Sequence, residues 1–309
     1  MDNLYFGEII RIRREELNMK QEELCEGVCE RSTLSKIERG KNECSKYLAE
    51  VFLQRLGLPM DFYYASSSKT GIEQLNIRNK INDAIRMREY EKLPELIKKG
   101  ENLQSDNIVF KQFLVETKAI HCLCVENNIN EARNLLIEAI GILHKDFTLD
   151  KIERCHFIKE DIIILNALAN TYCDEEDYST AIRIFNSLLK SIERKSADND
   201  DEETIRLIIM LKYNLSRVLG RADNYKECLI ITDEAIELCK RHGRPTYLAE
   251  LLINKGYALC SIHGRKEEGI LVLKDALTLN RLVGFEDNVK TIYRRAKELF
   301  GIDLRKFKA

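Results

Sequence analysis

The most constraining feature of the sequence is a pattern that recurs five times between residues 72 and 286. Each unit has a long amphipathic helix, a polar turn and a second helix that opens with a small residue. Aligning the second helices sets five positions in register: Leu93, Ala132, Ala181, Cys228 and Gly269. The steps between them are 39, 49, 47 and 41 residues. Helix pairs of this kind bury their apolar faces only by stacking on their neighbours, so the pattern predicts a helical-repeat domain.

This repeat resembles the tetratricopeptide motif, although its steps exceed the ideal period of about 34 residues. The resemblance implies a right-handed superhelix in which the first helix of each pair lines the concave face. Only 3 Pro and 14 Gly occur among 309 residues, and this scarcity of helix breakers favours an all-α protein. The helix expected to begin at residue 287 has no partner, so residues 287–309 are predicted to cap the five pairs.

Residues 1–60 show shorter amphipathic segments, which predict a compact domain of four helices. In the third segment Leu34 and Ile37 are three residues apart and face the core, so the polar side chains between them face outward. Gly40 suits the left-handed residue that ends a helix. Residues 61–71 shift towards small polar types and are predicted to form a linker.

The segments Gln21 to Leu24 and Leu34 to Gly40 resemble the helix-turn-helix of the lambda-repressor and Cro-like (XRE) superfamily. The resemblance implies that Gln21 starts the second helix near DNA phosphates, while Arg31, Ser32 and Lys36 reach base edges. Arg31 and Lys36 suit the acceptors of guanine in the major groove. The DNA-binding candidates are Gln21, Arg31, Ser32, Thr33, Ser35, Lys36, Arg39 and Lys41. The alternative is a solvated helix face.

Two further features of this motif concern its stability. Arg14 and Glu38 match superfamily positions that form an internal ion pair between the first helix and the recognition helix, so we expect a structural role for them. The turn is one residue shorter than the commonest pattern, and Glu30 stands where Ser usually caps the recognition helix. Glu is a weaker N-cap and adds negative charge beside DNA.

Polar residues recur at equivalent places in the first helices of the repeats. Fifteen residues before the aligned positions stand Thr117, Asn166, Tyr213 and Asn254. Eleven residues before the same aligned positions stand His121, Asn170, Arg217 and Ala258. An Asn amide both donates and accepts hydrogen bonds, so it can hold the backbone of an extended peptide. The peptide-binding candidates are Asn166, Asn170, Tyr213, Asn214, Arg217, Asn254 and Tyr257. For each of them, a locally bonded or core side chain is the alternative.

An XRE-type domain followed by five tetratricopeptide-like pairs resembles the RRNPP family of peptide-pheromone receptors from Gram-positive bacteria. Membership implies a homodimer that binds a short imported signalling peptide and double-stranded operator DNA with two half-sites. The asparagines with which the family holds its peptide correspond here to Asn166, Asn214 and Asn254. The resemblance therefore implies a quorum-sensing transcription regulator.

Charge and composition narrow the alternatives. The net charge is −2, and residues 1–60 carry ten Lys or Arg against eleven Asp or Glu, so the positions of the charges must account for any DNA binding. Ten irregularly spaced Cys are expected to be buried thiols in a reducing cytosol. No apolar run is long enough to span a membrane, and no glycine-rich phosphate loop or metal-ligand spacing occurs. We therefore expect a cytoplasmic protein that is not an enzyme and needs no cofactor.

A second hypothesis assigns the repeats another partner. They could dock a larger protein while the N-terminal domain binds DNA constitutively. A broad flat patch of exposed apolar residues would favour this hypothesis.

Overall fold

The computed structural model describes residues 4–66, 68–103, 106–193, 201–243 and 245–305, and every regular element in them is helical. The α-helices are α1 (Leu4–Glu16), α2 (Gln21–Cys25), α3 (Arg31–Glu38), α4 (Lys46–Arg55), α5 (Asp61–Ala65), α6 (Lys69–Arg86), α7 (Leu93–Glu101), α8 (Ile108–His121), α9 (Ile129–Leu143), α10 (Lys159–Asp174), α11 (Tyr178–Glu193), α12 (Glu202–Arg221), α13 (Tyr225–Arg241), α14 (Pro245–Ser261), α15 (Lys266–Leu282) and α16 (Glu286–Phe300). The predicted all-α class is confirmed. The chain divides into two compact units, Met1–Leu135 and Leu136–Ala309.

Helices α1 to α4 of the first unit enclose one apolar core. Its buried members are Phe6, Ile10, Leu24, Cys25, Leu34, Ile37, Cys44, Ala49, Phe52, Leu53 and Leu56. Gly7 allows α1 to lie directly on α3, because a Cβ at this position would stand 2.0 Å from the carbonyl oxygen of Ile37. Ser45 caps α4, its hydroxyl accepting a hydrogen bond from the backbone N–H of Leu48 at 3.3 Å. These contacts hold the buried side of α3 and leave its other side at the surface.

The segment predicted as a linker, residues 61–71, is instead helical over most of its described length. Helix α5 begins at Asp61, and α6 begins at Lys69 after its N-cap Ser68. The ring of Tyr63 packs edge-on against Phe6 at 5.4 Å, and its hydroxyl donates to the carbonyl oxygen of Cys44 at 3.3 Å. The small polar residues of this segment gave no indication of this aromatic contact, by which Tyr63 attaches α5 to the core of α1 to α4. Residue 67 lies outside the described part.

In the second unit three helix pairs, α10 with α11, α12 with α13 and α14 with α15, follow one another. Connections of three or four residues join the members of each pair, which therefore run antiparallel. The first helices also contact one another, α10 with α12 and α12 with α14, and α16 contacts α14 in the same manner. These contacts bring polar side chains of successive first helices together.

The residues aligned by the repeat pattern are buried. Leu93, Ala132, Ala181 and Cys228 have no exposed surface, and Gly269 is buried at the start of α15. A Cβ on Gly269 would stand 2.5 Å from the sulfur of Cys260 and 2.8 Å from the carbonyl oxygen of Gly256. The last pair therefore requires glycine where α14 and α15 cross.

Helix α16 packs against the last helix pair. Its Val289, Ile292 and Ala296 extend the core formed by α14 and α15, and Gly301 ends the helix with φ of 65°. Residues 306–309 of the predicted capping segment lie outside the described residues. No helix of the described ranges has both the length and the apolar character that a membrane span requires.

Replacing Gly269 with Ala is expected to destabilise the protein by about 1–3 kcal/mol, because backbone atoms of α14 would have to move. Gly141→Ala is the matched control, since nothing lies within 4 Å of a Cβ at this helical position. The control should stabilise the protein by about 0.5–1 kcal/mol through helix propensity alone. Urea unfolding followed by far-UV circular dichroism measures both, and equal effects would contradict the close crossing.

Candidate functional site

The outward side of α3 presents most of the predicted DNA-binding residues. Leu34 and Ile37 are at most 1% exposed and hold the helix from beneath. The exposed candidates are Arg31, Ser32, Lys36, Arg39 and Lys41, while Gln21, Thr33 and Ser35 are half-buried. Lys36 and Lys41 form no ion pair with the described residues, so their ammonium groups are available to a ligand. We call the side chains of these eight residues the recognition face.

A buried carboxylate connects the first three helices. Glu38, at the end of α3, accepts hydrogen bonds from Arg14 Nε at 2.6 Å, Arg14 Nη2 at 3.0 Å and Gln21 Nε2 at 2.7 Å. Arg14 Nη1 also donates to the carbonyl oxygen of Met19 at 2.9 Å. The hydrogen bond with Glu38 raises the pKa of Arg14. The ion pair expected from the sequence thus forms, and Gln21 joins it.

This network extends to the surface through Arg31. Its Nε donates to Gln21 Oε1 at 3.3 Å and lies 3.0 Å from Glu22 Oε1. Arg31 and Glu22 are both exposed, and an exposed ion pair contributes about 0–1 kcal/mol. A DNA phosphate or base could therefore replace Glu22 at little cost. Gln21, by contrast, is engaged with Glu38 and orients α2 in the structure.

Local hydrogen bonds order two other parts of the recognition face. Arg39 donates to the hydroxyl of Ser35, one helical turn earlier, and Ser32 donates to Glu30 Oε2 at 3.3 Å. The side chain of Glu30 makes no capping hydrogen bond at the start of α3. The backbone N–H groups of that first turn therefore remain uncapped by Glu30, as its weak capping propensity predicts.

The peptide-binding candidates of the second unit lie on adjoining first helices and bond to one another. Asn214 Nδ2 on α12 donates to Asn166 Oδ1 on α10 at 2.8 Å. Arg217 Nη2 donates to Asn170 Oδ1 at 2.8 Å. Asn254 Nδ2 on α14 donates to the hydroxyl of Ser216 at 2.9 Å and the carbonyl oxygen of Tyr213 at 3.3 Å. Part of the hydrogen-bonding capacity of these side chains therefore joins successive repeats.

The donors and acceptors that these side chains do not use within the protein are available to a ligand. An Asn amide has two N–H donors and a carbonyl oxygen with two lone pairs. Among the described residues, none accepts from Nδ2 of Asn166 or Asn170, and none donates to Oδ1 of Asn254. The Nε of Arg217 and the hydroxyl of Tyr257 are buried without a hydrogen-bond partner in the described structure. Such groups normally find a partner, and a polar ligand would supply one.

Aromatic rings adjoin these amides. Tyr213 packs on Tyr247 with ring centroids 6.3 Å apart, and the guanidinium of Arg295 on α16 lies 5.0 Å from the ring of Tyr257. Burial raises the pKa of Tyr213, and it raises that of Tyr257 to about 12, so both phenols stay protonated. Tyrosine rings can line side-chain pockets of a peptide site.

Sequence reasoning missed three residues here: Glu250, Asn288 and Arg295. Glu250 lies one helical turn before Asn254 on α14, and Asn288 on α16 donates a hydrogen bond to its carboxylate. The spacing of four residues could have identified Glu250. We call the side chains of α10, α12, α14 and α16 that meet here the polar strip: Asn166, Asn170, Tyr213, Asn214, Arg217, Glu250, Asn254, Tyr257, Asn288 and Arg295.

The cysteines contribute to the core. Seven of the ten are buried, and burial raises the pKa of Cys44 to about 12 and that of Cys228 to about 11. Thiols with such values remain protonated and behave as small apolar side chains. Within the described residues no three His, Cys, Asp or Glu side chains are grouped so as to hold a metal ion.

Two family models match the chain. One, described as the RNPP family C-terminal domain, covers residues 78–300, and the other, described as a helix-turn-helix, covers residues 10–63. The first spans more than half of the chain and includes all of the polar strip. The second includes the recognition face. A search of the curated proteins found no match.

Solved structures with similar folds include three that span nearly the whole chain. PlcR of Bacillus thuringiensis, in complex with the peptide PapR7 and DNA, has a TM-score of 0.68 at 18% identity and covers 94% of this chain and 99% of its own. The pheromone receptor Rgg2 of Streptococcus dysgalactiae has a TM-score of 0.58 at 14% identity, covering 94% and 98%. ComR of S. thermophilus, in complex with DNA and its signalling peptide ComS, has a TM-score of 0.56 at 15% identity, covering 96% and 99%. None of the three is described as an enzyme.

Replacing Glu38 with Gln is expected to destabilise the helix-turn-helix by about 3–5 kcal/mol, because Arg14 would keep a largely buried charge without its partner. Glu15→Gln is the control, since Glu15 is exposed on α1 and its loss should cost less than about 1 kcal/mol. Hydrogen exchange of peptides from residues 4–56 localises the effect. Unchanged protection in the Glu38 variant would show that the pair does not hold the domain together.

Proposed function

The chain belongs to the RRNPP family of peptide-responsive transcription regulators, and from this premise we propose that it is a dimeric quorum-sensing regulator of operator DNA. A short signalling peptide, bound at the polar strip, would control its affinity for DNA. The observation that carries the proposal is the polar strip itself, since its amides keep unused donors and acceptors beside buried polar groups that lack a partner. The DNA and peptides bound by PlcR and ComR support the same conclusion.

For the DNA half of the proposal, α3 enters the major groove with its recognition face. Arg31 and Lys36 bind base edges, most favourably guanine, and Ser32 contacts bases beside them. The phosphate contacts come from Thr33, Ser35, Arg39 and Lys41, and from the N–H of Gln21 that is not donated to Glu38. Lys36 is exposed and has no ion-pair partner among the described residues, so its ammonium group gives up no existing ion pair when it binds DNA. This supports the assignment of Lys36 to a base edge.

For the peptide half, Asn166 and Asn170 donate to carbonyl oxygens of an extended peptide, and Asn254 accepts from one of its N–H groups. Tyr213 and Tyr257 contact its side chains, and Arg217 offers its Nε to a further oxygen. Asn214 acts through Asn166, whose amide it orients. Because the same amides join neighbouring repeats, a bound peptide favours one arrangement of the repeats over others.

The remaining parts of the proposal concern assembly and location. A homodimer would place two recognition faces on an operator of two half-sites related by two-fold symmetry. The protein would act in the cytoplasm, where operator DNA and an imported peptide are both present. In the alternative function, a protein partner would occupy the repeats and peptides would leave DNA binding unchanged.

We expect Lys36→Ala and Arg31→Ala each to weaken binding to a selected duplex by about 1–3 kcal/mol and to relax preference at one base pair. Lys80→Ala, an exposed lysine of α6, is the control and should change little. Selection from a random duplex library, followed by fluorescence anisotropy, measures affinity and preference together. Uniform weakening across all sequences would assign the residue to a phosphate, and no weakening would contradict the recognition face.

We expect Asn166→Ala and Asn254→Ala each to weaken peptide binding by about threefold to tenfold, the equivalent of one lost hydrogen bond. The probe is the tightest member of a random heptapeptide library selected on the full chain, and isothermal titration calorimetry gives its affinity. Asn79→Ala, exposed on α6, should bind like the wild type. Full affinity in both strip variants would move the peptide site elsewhere, and a library without any binder would refute peptide control.

A further inference from the structure

Glu250 differs in its partners from two other acidic residues of the second unit, Glu203 and Asp161. Glu203 bonds to Arg206 and Lys159, which lower its pKa to about 2, and Asp161 lies 2.9 Å from His144. Glu250 is half-buried, and among the described residues no Lys, Arg or His lies within ion-pair distance of it. The hydrogen bond that it accepts within the described ranges comes from the neutral amide of Asn288.

The surroundings of Glu250 make this isolation costly. Burial raises the pKa of its carboxyl group, and the hydrogen bond from Asn288 opposes the shift. A carboxyl group whose pKa is higher in the folded than in the unfolded protein lowers stability as its proton is lost. When that proton is lost, the folded chain carries the free-energy cost of a partly buried charge without a cationic partner, and a bound cation would offset this cost.

Aromatic rings complete a site for such a cation. Burial is the main cause of the raised pKa of Tyr213 and of Tyr257, and the negative charge of Glu250 adds to the shift in both. Tyr247, one turn earlier on α14, packs against Tyr213. A carboxylate among aromatic rings binds an ammonium or guanidinium group through an ion pair and through the negative faces of the rings.

The two cations of the polar strip serve other contacts. Arg217 donates to Asn170, and Arg295 lies over the ring of Tyr257. Both are fixed on helices other than α14, and neither comes within ion-pair distance of the Glu250 carboxylate. The protein therefore supplies the anionic half of an ion pair at this place without its cationic half.

We propose that Glu250 determines which peptides the chain accepts, by binding a cationic group of the peptide. The group is a Lys or Arg side chain or the N-terminal ammonium. The inference rests on the proposed peptide-binding function and deepens it: the asparagines hold the backbone of any extended peptide, and Glu250 selects peptides by charge. Asn288 positions the carboxylate.

Three heptapeptide libraries test the proposal on the immobilised full chain: neutral side chains with a free N-terminus, one fixed Lys with an acetylated N-terminus, and neutral side chains with an acetylated N-terminus. The wild type is expected to retain one of the cationic libraries about tenfold better than the fully neutral one. Which cationic library is retained identifies the side chain or the N-terminus as the source. Glu250→Gln should lose this preference while still binding neutral peptides. Glu237→Gln, an exposed acid of α13, should keep it.

The outcomes separate this inference from the proposed function. Equal retention of cationic and neutral libraries by the wild type, or an unchanged preference in Glu250→Gln, would overturn the role of Glu250 while peptide binding stands. No retention of any library would refute peptide binding itself. Thermal unfolding at pH 7 guards against a misfolded variant: Glu250→Gln should unfold no lower than the wild type, because it removes a buried charge. A lower unfolding temperature would assign Glu250 a structural role and contradict the proposal.

Discussion

The hydrogen bonds that Asn side chains make between successive first helices are the interactions on which the proposed peptide control depends. Asn166 with Asn214, and Asn254 with Ser216, join α10 to α12 and α12 to α14. Each bond uses only part of an amide, so the side chains that join neighbouring repeats keep donors and acceptors for a ligand. A peptide that engages the remaining donors and acceptors must therefore act on the packing of the repeats. In the proposed function, the same side chains would therefore both bind the peptide and transmit its effect.

In the proposed function, the N-terminal domain binds DNA through the positions of its charges rather than through their number. Its first sixty residues are nearly neutral, so general attraction to the DNA backbone is weak. The buried Glu38 holds Arg14 and Gln21, and through Gln21 the network reaches Arg31. The buried side of α3 is thus held in place, while its exposed side chains can exchange their partners. Weak non-specific binding with a well-ordered reading helix favours discrimination between sequences.

Much of the fold could be predicted from the sequence because it depends on local periodicity. The spacing of Leu34 and Ile37 correctly predicted which side of α3 is buried. The aligned residues of the repeat are buried as well. Residues 61–71 were predicted wrongly as a linker, since the burial of Tyr63 depends on a ring contact with Phe6 across the domain. Asn214 is 48 residues from Asn166 along the chain, and Asn288 is 38 residues from Glu250. These pairs depend on which helices lie side by side, and no pattern within one helix reveals them.

The central claim is that a peptide at the repeats and DNA at α3 are coupled, and thermodynamic linkage tests it most directly. The affinity of the full chain for a selected duplex is measured with and without a saturating selected peptide, and the affinity for that peptide is measured with and without the duplex. The account predicts that both affinities change by one common factor, about 5–150-fold, in the same direction. An affinity for DNA that saturating peptide leaves unchanged would contradict it.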